Sequence, residues 1–221
     1  MANDRERWDA RYRERTGESV GDPTPALRRW RDALPSGRAL DVATGRGRNA
    51  LFLAERGYEV DAVDVSGEAL SQARARAEER DLDVNWVQAD LTEYPFPSAT
   101  YDVVVVSFYA TLDRLPDLKE ALAPGGVLVY EHHLRSATPV DRGPRTDRYR
   151  FRSNDLLRAC LDLTVLSYAE RVRRTDGRAA AVVTLVARNS TGGAQQYPEV
   201  ANSRPDHPER DPDASRAGPD A

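Results

Sequence analysis

The chain has 221 residues, 40% of them hydrophobic, a net charge of −4 and a mean hydropathy of −0.66. That length suits one domain with appended segments. No apolar run approaches the roughly 18 residues of a membrane span, and no basic block outside the arginine-rich stretches marks a nucleic-acid surface.

The opening Met1-Ala-Asn-Asp-Arg-Glu-Arg-Trp8 is charged, unlike a secretion signal. One cysteine, Cys160, excludes an internal disulfide and fits a reducing, cytoplasmic interior. Residues 3–15 read as a helix, with Trp8 and Tyr12 four apart on one face. Thr24 is placed to cap a second helix that starts at Pro25 and carries Ala26, Leu27, Trp30 and Ala33.

Strand 1, about 39–43, leads through Gly45 and Gly47 into a helix over 48–56. Strand 2 runs from Tyr58 to Val63 and ends at Asp64. Ser66 caps the next helix, whose buried stripe is Ala69, Leu70, Ala73 and Ala77. Strand 3 is Val84 to Gln88, ending at Asp90, and strand 4 is the valine run Tyr101 to Val106. A helix over 114–122 stops at Pro124-Gly-Gly126, before strand 5, Val127 to Glu131. A long arginine-rich loop, 132–151, follows, then a helix capped by Ser153. Two β-rich runs, 164–169 and 180–187, flank the hairpin signal Arg174-Thr-Asp-Gly177. Beyond about Asn189, Gly, Pro, Asp and Ser dominate without an apolar period, the composition of a disordered tail.

Alternating β and α elements followed by an antiparallel hairpin predict a doubly wound α/β sheet. The domain reading is a helical preface or lid at 1–36, a core at 37–188 and a polar tail at 189–221. In such a sheet the ligand crevice lies at the carboxyl ends of the strands. The glycine turn, Asp64, Asp90, Ser107 to Tyr109, and Glu131 to His133 all fall there. Asp64 sits near the spacing of about 20 residues at which a carboxylate reaches ribose hydroxyls. Asp90 is placed to accept from an adenine amino group, and reads equally as a loop or cap aspartate.

The chain resembles the class I S-adenosylmethionine-dependent methyltransferases over about 1–188. The resemblance rests on Trp8-Asp-Ala-Arg-Tyr12, Ala39-Leu-Asp-Val-Ala-Thr-Gly-Arg-Gly-Arg-Asn49, Gly57 to Ser66, Ala89-Asp90, Tyr101-Asp102 and Leu122-Ala-Pro-Gly-Gly126. The Gly-Arg-Asn turn and the Trp-Asp-x-Arg-Tyr opening are similar to the tellurite-resistance and thiopurine-type subgroup. The family fold is a seven-stranded, mostly parallel sheet closed by an antiparallel hairpin, and the implied cofactor is S-adenosylmethionine. By the resemblance, Asp41, Ala43, Gly45 and Gly47 line its methionine and ribose side. Asp64 would hold the ribose and Asp90 the adenine, Val65, Leu91 and Ser107 would also line the cofactor, and Tyr109 would stand beside the transferred methyl group. The first glycine of the family turn is Ala43 here, whose methyl group could crowd the cofactor.

Methyl transfer is an in-line displacement at an activated carbon, served mainly by proximity and alignment. No triad or metal cluster is therefore expected. His132-His133 beside Glu131 is too compressed to argue for a metal site. Tyr109 and His132 are the candidate catalytic residues, each also readable as a packed element-end residue. Arg145, Arg148 and Arg150 around Tyr149 either steer an anionic substrate or form a solvated loop. Trp8 and Tyr12 either cover the site or staple a helix to the sheet. The expected partner is a small-molecule methyl acceptor, with no nucleic acid and no membrane.

The sequence also admits other readings. A nicotinamide-dependent oxidoreductase shares the turn and Asp64. It lacks support from a third glycine, from Asp90 and from the terminal hairpin. An RNA or protein methyltransferase would fit poorly with Ser107-Phe-Tyr-Ala110, which has neither an Asn-Pro-Pro-Tyr-type run nor a cysteine. A catalytically idle cofactor-binding protein is kept open by Ala43.

Overall fold

The computed structural model describes residues 4–175, 177–190 and 193–200. Its strands are Arg38–Val42 (β1), Glu59–Asp64 (β2), Asn85–Gln88 (β3), Tyr101–Ser107 (β4), Leu122–His133 (β5), Thr164–Thr175 (β6) and Arg178–Arg188 (β7). The helices are Asp4–Arg13 (α1), Pro25–Trp30 (α2), Arg48–Ala54 (α3), Gly67–Glu78 (α4), Leu115–Ala121 (α5) and Asp155–Ala159 (α6). The strands form one sheet in the order β3-β2-β1-β4-β5-β7-β6. The pairs among β1 to β5 are parallel, and β7 runs antiparallel to both β5 and β6. The expected α/β sheet with its closing hairpin is what the chain builds.

Period-two alternation along each central strand sends neighbours to opposite faces. On one face Leu40, Val42, Val104, Val106, Leu128 and Tyr130 pack under α5 and α6. On the other, Ala39, Val103, Val105, Val127 and Val129 pack against Trp30, Ala50 and Leu53 of α2 and α3. Burial on both faces explains why β4 reads as nearly continuous valine. The order reverses between β1 and β4, so their carboxyl tips diverge into the crevice that binds ligands in open sheets of this kind.

Several local details differ from the sequence reading. Thr24 precedes α2 without capping it. Its N–H and hydroxyl both donate to Asn49 Oδ1, at 3.0 and 3.3 Å, and tie the N-terminal region to α3. Ser153 does not cap α6: its hydroxyl donates to Glu170, 2.6 Å away. Asn154 takes the cap position in the left-handed region, which Asn tolerates. β5 continues to His133, two residues beyond the expected end. The following loop is pinned rather than loose. Phe151 N–H donates to His133 O, Arg135 N–H to Phe151 O, and Asp141 and Arg142 N–H both to Ala179 O. The hairpin forms where it was expected, with Gly177 at φ +72°; Asp176 lies outside the described residues. So do residues 191, 192 and 201–221 of the expected tail. Residues 193–200 carry no helix or strand, and Val200 packs against the Trp30 cluster.

Candidate cofactor and acceptor site

The turn after β1 is held from below by Asp41. This carboxylate is fully buried and accepts from the Thr44 hydroxyl, Ala50 N–H (3.1 Å) and Asn49 Nδ2 (3.4 Å). Burial pushes it up to about 6 in spite of those donors. Asp41 therefore shapes the turn from within rather than lining it.

Ala43 and Gly45 both take left-handed backbones, at φ +53° and +57°. Three amides of the turn are spent on its own shape: Thr44 N–H on Val63 O, Gly45 N–H on Asp64 and Gly47 N–H on Thr44 O. These three N–H groups are therefore not free to donate to a ligand. At Gly45 a side chain would meet the Tyr12 hydroxyl at 2.7 Å, so only glycine lets Tyr12 approach. At Gly47, φ +81°, a side chain would sit 2.8 Å from the Trp86 ring and 3.0 Å from Ala73 Cβ. Gly47 thus seats α3 against β3 and α4 instead of facing a ligand.

A left-handed alanine costs roughly 1–2 kcal/mol relative to glycine, offset in part by the greater freedom of an unfolded glycine. Ala43→Gly is therefore expected to stabilise the chain by about 0.5–1 kcal/mol in urea denaturation.

Asp64 closes β2 directly across from the turn. Its Oδ2 accepts from Gly45 N–H at 2.7 Å and its Oδ1 from Ser66 N–H at 2.9 Å. Burial raises its pKa. Val65, half-buried, offers its carbonyl to Gln88 Nε2 at 3.1 Å. Asp90 is exposed and accepts from Thr92 N–H and hydroxyl at 2.9 and 2.7 Å, which is the loop-aspartate reading. Leu91 is 4% exposed and belongs to the core under β4.

Tyr109 is half-buried after β4. Burial raises its phenol, and Asp90, Asp4 and Asp64 add to the effect. Tyr109 therefore lies within electrostatic reach of Asp90, Asp4 and Asp64. His132 is not part of this group. It is 1% exposed, its Nε2 lies 3.0 Å from Tyr149 O, and its ring packs 4.3 Å from that of Phe151. Burial pushes it down to about 4. His132 is a core histidine, which corrects its candidacy as a base. Its neighbour His133 faces the other way and stacks on Phe108, centroids 4.6 Å apart.

Two arginines of the turn were not singled out from the sequence. Arg46 is 7% exposed and donates to the carbonyls of Arg15, Glu18 and Ser19 at 2.8–3.0 Å. It clamps the chain that follows α1. Arg48 donates from Nη2 to Ser107 Oγ at 2.7 Å. α1 is fixed at its middle by Asp9, whose Oδ1 accepts from Ser66 Oγ (2.6 Å) and Glu68 N–H (3.1 Å). Trp8 and Tyr12 stack on the same face, as their spacing predicts.

An open cleft of about 680 Å³ lies at the opposite, amino ends of the strands, beside Arg38, Asp61, Asn85 and Trp86. There Arg38, Asn85 and Tyr101 all donate to Asp61, so its charge is already satisfied. Among the described residues no cluster of His, Cys, Asp and Glu could hold a metal ion. Nor is any helix among them long and apolar enough to cross a membrane.

A family model described as a methyltransferase domain matches residues 39–126, which span the turn, Asp64, Asp90 and β4. The sheet also superposes on solved structures. One, from a study titled "Conversion of a Disulfide Bond into a Thioacetal Group during Echinomycin Biosynthesis", has a TM-score of 0.66 at 25% identity. That match covers 86% of this chain and 93% of the other. The chain has the fold of the class I S-adenosylmethionine-dependent methyltransferases. TehB from Haemophilus influenzae shares this class I fold, at TM-score 0.67 and 18% identity over 83% of this chain and 67% of TehB. In sequence, a demethylmenaquinone methyltransferase of Thermus thermophilus is 42% identical over 99 residues, 42% of this chain and 45% of that protein. The chain spans about half the length of the curated relatives it matches.

Proposed function

We propose that the chain binds S-adenosylmethionine at the tips of β1 and β2 and transfers its methyl group to a small-molecule acceptor beside β4. The observation that carries this reading is the Asp64 carboxylate, tied to Gly45 between the tips of β1 and β2, next to the switch point of the sheet. Ionised, it has about four lone-pair sites and uses two on backbone N–H groups, leaving capacity for a ribose diol. Asp64 would hold the ribose, with Val65 beside it. Asp90, past the end of β3, would meet the adenine edge. Ala43 and Gly45 would face the methionine portion, with Asp41 and Gly47 supporting them from behind. Ser107 would lie beside the transferred group and Tyr109 beside the acceptor.

When bound, S-adenosylmethionine supplies a methyl group on a sulfonium, already activated for displacement. What the chain adds is alignment and exclusion of water. Residues 1–36 serve as the lid in this reading, because Tyr12 stands over Gly45 while Asp9 and Arg46 pin the segment on both sides. The match to a relative named demethylmenaquinone methyltransferase makes a quinol the first acceptor to try.

Calorimetry with S-adenosylhomocysteine and NADH is the test. Binding of the first and no heat from the second is expected; heat from NADH alone would overturn the reading. A labelled-methyl screen over quinols, phenols, thiols, amines and chalcogen oxyanions then finds the acceptor. With that acceptor, Tyr109→Ala is expected to lower kcat about ten-fold and to change S-adenosylhomocysteine affinity less than about two-fold. Equal loss of both would move Tyr109 into the cofactor pocket.

A further inference from the structure

The tips of β4 and β5 carry a charge cluster to which the methyl-transfer reading has assigned no part. Glu131 is 1% exposed, and Arg173 grips it with both Nη atoms, at 2.8 and 3.0 Å. Arg48 arrives at the same place from α3. Burial lowers its pKa, and Glu131 is the strongest of the charges that oppose this. Glu131 thus stands between a guanidinium that it bonds, Arg173, and one that it acts on through space, Arg48, with Asp41 the next carboxylate to act on Arg48. His133 adds no charge to this group. Burial first, then Arg150 and Arg173, push that imidazole down to about 4, so it is neutral.

A half-buried guanidinium with spare donors calls for an acceptor. Arg48 has one short bond, to Ser107 Oγ at 2.7 Å, and a long one of 3.5 Å to Asp22 O. Beside it stands an aromatic face. Phe108 lies 5.6 Å below the Arg48 guanidinium and stacks on His133 with 27° between the rings. Phe108 holds a backbone φ of +58°, which costs a bulky residue on the order of 1–3 kcal/mol. Strain of that size persists where surrounding contacts enforce it, characteristically at ligand sites. The wider field agrees. Segments 135–152 and 171–178 hold ten arginines against three aspartates in a chain whose net charge is −4.

We propose that Arg48, Arg173 and the Phe108–His133 stack form the acceptor subsite, and that it takes a planar, delocalised oxyanion, a phenolate or an enolate. The inference rests on the methyl-transfer reading and names its acceptor class. The ring of the acceptor lies along Phe108 and its charged oxygen meets the guanidinium groups. Glu131 sets the strength of the clamp by cancelling one of the two positive charges. An acceptor held in this form has no proton to lose, which suits a site whose histidines are neutral and whose His132 is sealed in the core.

The test uses three probes at a pH where the first two are ionised: 4-nitrophenolate, the enolate of dimedone, and neutral 4-nitroanisole. Each is titrated into the full chain with and without S-adenosylhomocysteine. At least one anion is expected to bind about ten-fold more tightly than 4-nitroanisole, and which one does so separates phenolate from enolate. Arg48→Gln should abolish that preference. Glu131→Gln, which leaves both guanidinium groups uncancelled, should increase it, a gain that a misfolded variant would not produce. No preference in the unaltered chain, or a preference that neither variant moves by two-fold, would overturn the assignment. Anion preference in a chain that ignores S-adenosylhomocysteine would overturn the methyl-transfer reading and keep the subsite.

Discussion

Asp64→Ala is expected to weaken S-adenosylhomocysteine binding by about 100-fold or more. Hydrogen bonds to an ionised group contribute about 1.5–3 kcal/mol each, so two ribose hydroxyls on one carboxylate represent roughly 3–6 kcal/mol, and about 2.8 kcal/mol already corresponds to 100-fold. The substitution also strips the acceptor from Gly45 and Ser66 N–H. Truncation leaves a polar space beside those amides that a water molecule can fill, so the fold should survive. Asp64→Asn serves as the companion variant because it keeps the shape and removes the charge. Binding by calorimetry and thermal unfolding by circular dichroism separate affinity from stability.

The pH dependence has a fixed sign. Burial raises the Asp64 pKa, so the native chain takes up this proton more readily than the unfolded one. The stability of the free chain accordingly falls as pH rises through that raised value. Cofactor binding needs the ionised form and goes the other way. It is complete above the raised pKa and is lost as pH falls through it, before a surface aspartate near about 3.9 would titrate. Asp64→Asn should lack that acid limb. Unchanged affinity in Asp64→Ala would remove this residue from the site.

What the sequence made legible was mostly local. Ser66 accepts from Ala69 N–H at 3.1 Å, as its position before an apolar helix predicts. Ala69, Leu70, Ala73 and Ala77 are all buried, as their spacing predicts. The readings that changed depended on partners far along the chain. Thr24 has the composition of a cap, but Asn49, 25 residues on, takes its donors. Gly47 resembles a ligand-lining glycine until Trp86 of β3 is seen against it. The two histidines differ through one strand boundary. With β5 running to His133, period-two alternation puts His132 with Tyr130 on the core face and His133 with Glu131 on the other. An end at Glu131 left that undecided. Arg46 and Arg48 look like solvated turn residues in the sequence. Only the packing of the N-terminal segment and of β4 against the turn gives each its partners.

Asp41→Ala is expected to cost about 3 kcal/mol of stability, the largest loss foreseen for a single side chain in this region. The carboxylate is 0% exposed and holds Thr44, Asn49 and Ala50 at once. Leaving a buried donor without its acceptor costs about 1–3 kcal/mol, and relief of the buried charge returns part of the sum. Asp41→Asn should cost less, but not nothing. Its new amide hydrogens would face Asn49 Nδ2, and Asn49 cannot flip because its Oδ1 is committed to Thr24. The two variants also carry a pH signature. With its pKa pushed up to about 6, native Asp41 binds a proton where the unfolded residue, at 3.8, does not. That contribution makes the chain lose stability as pH rises from about 4 to 6 and leaves it flat above. Urea denaturation across that range should show the slope in the unaltered chain and lose it in Asp41→Asn. If Asp41→Ala unfolded at the same urea concentration as the unaltered chain, the turn would be held by its own backbone bonds and not from below.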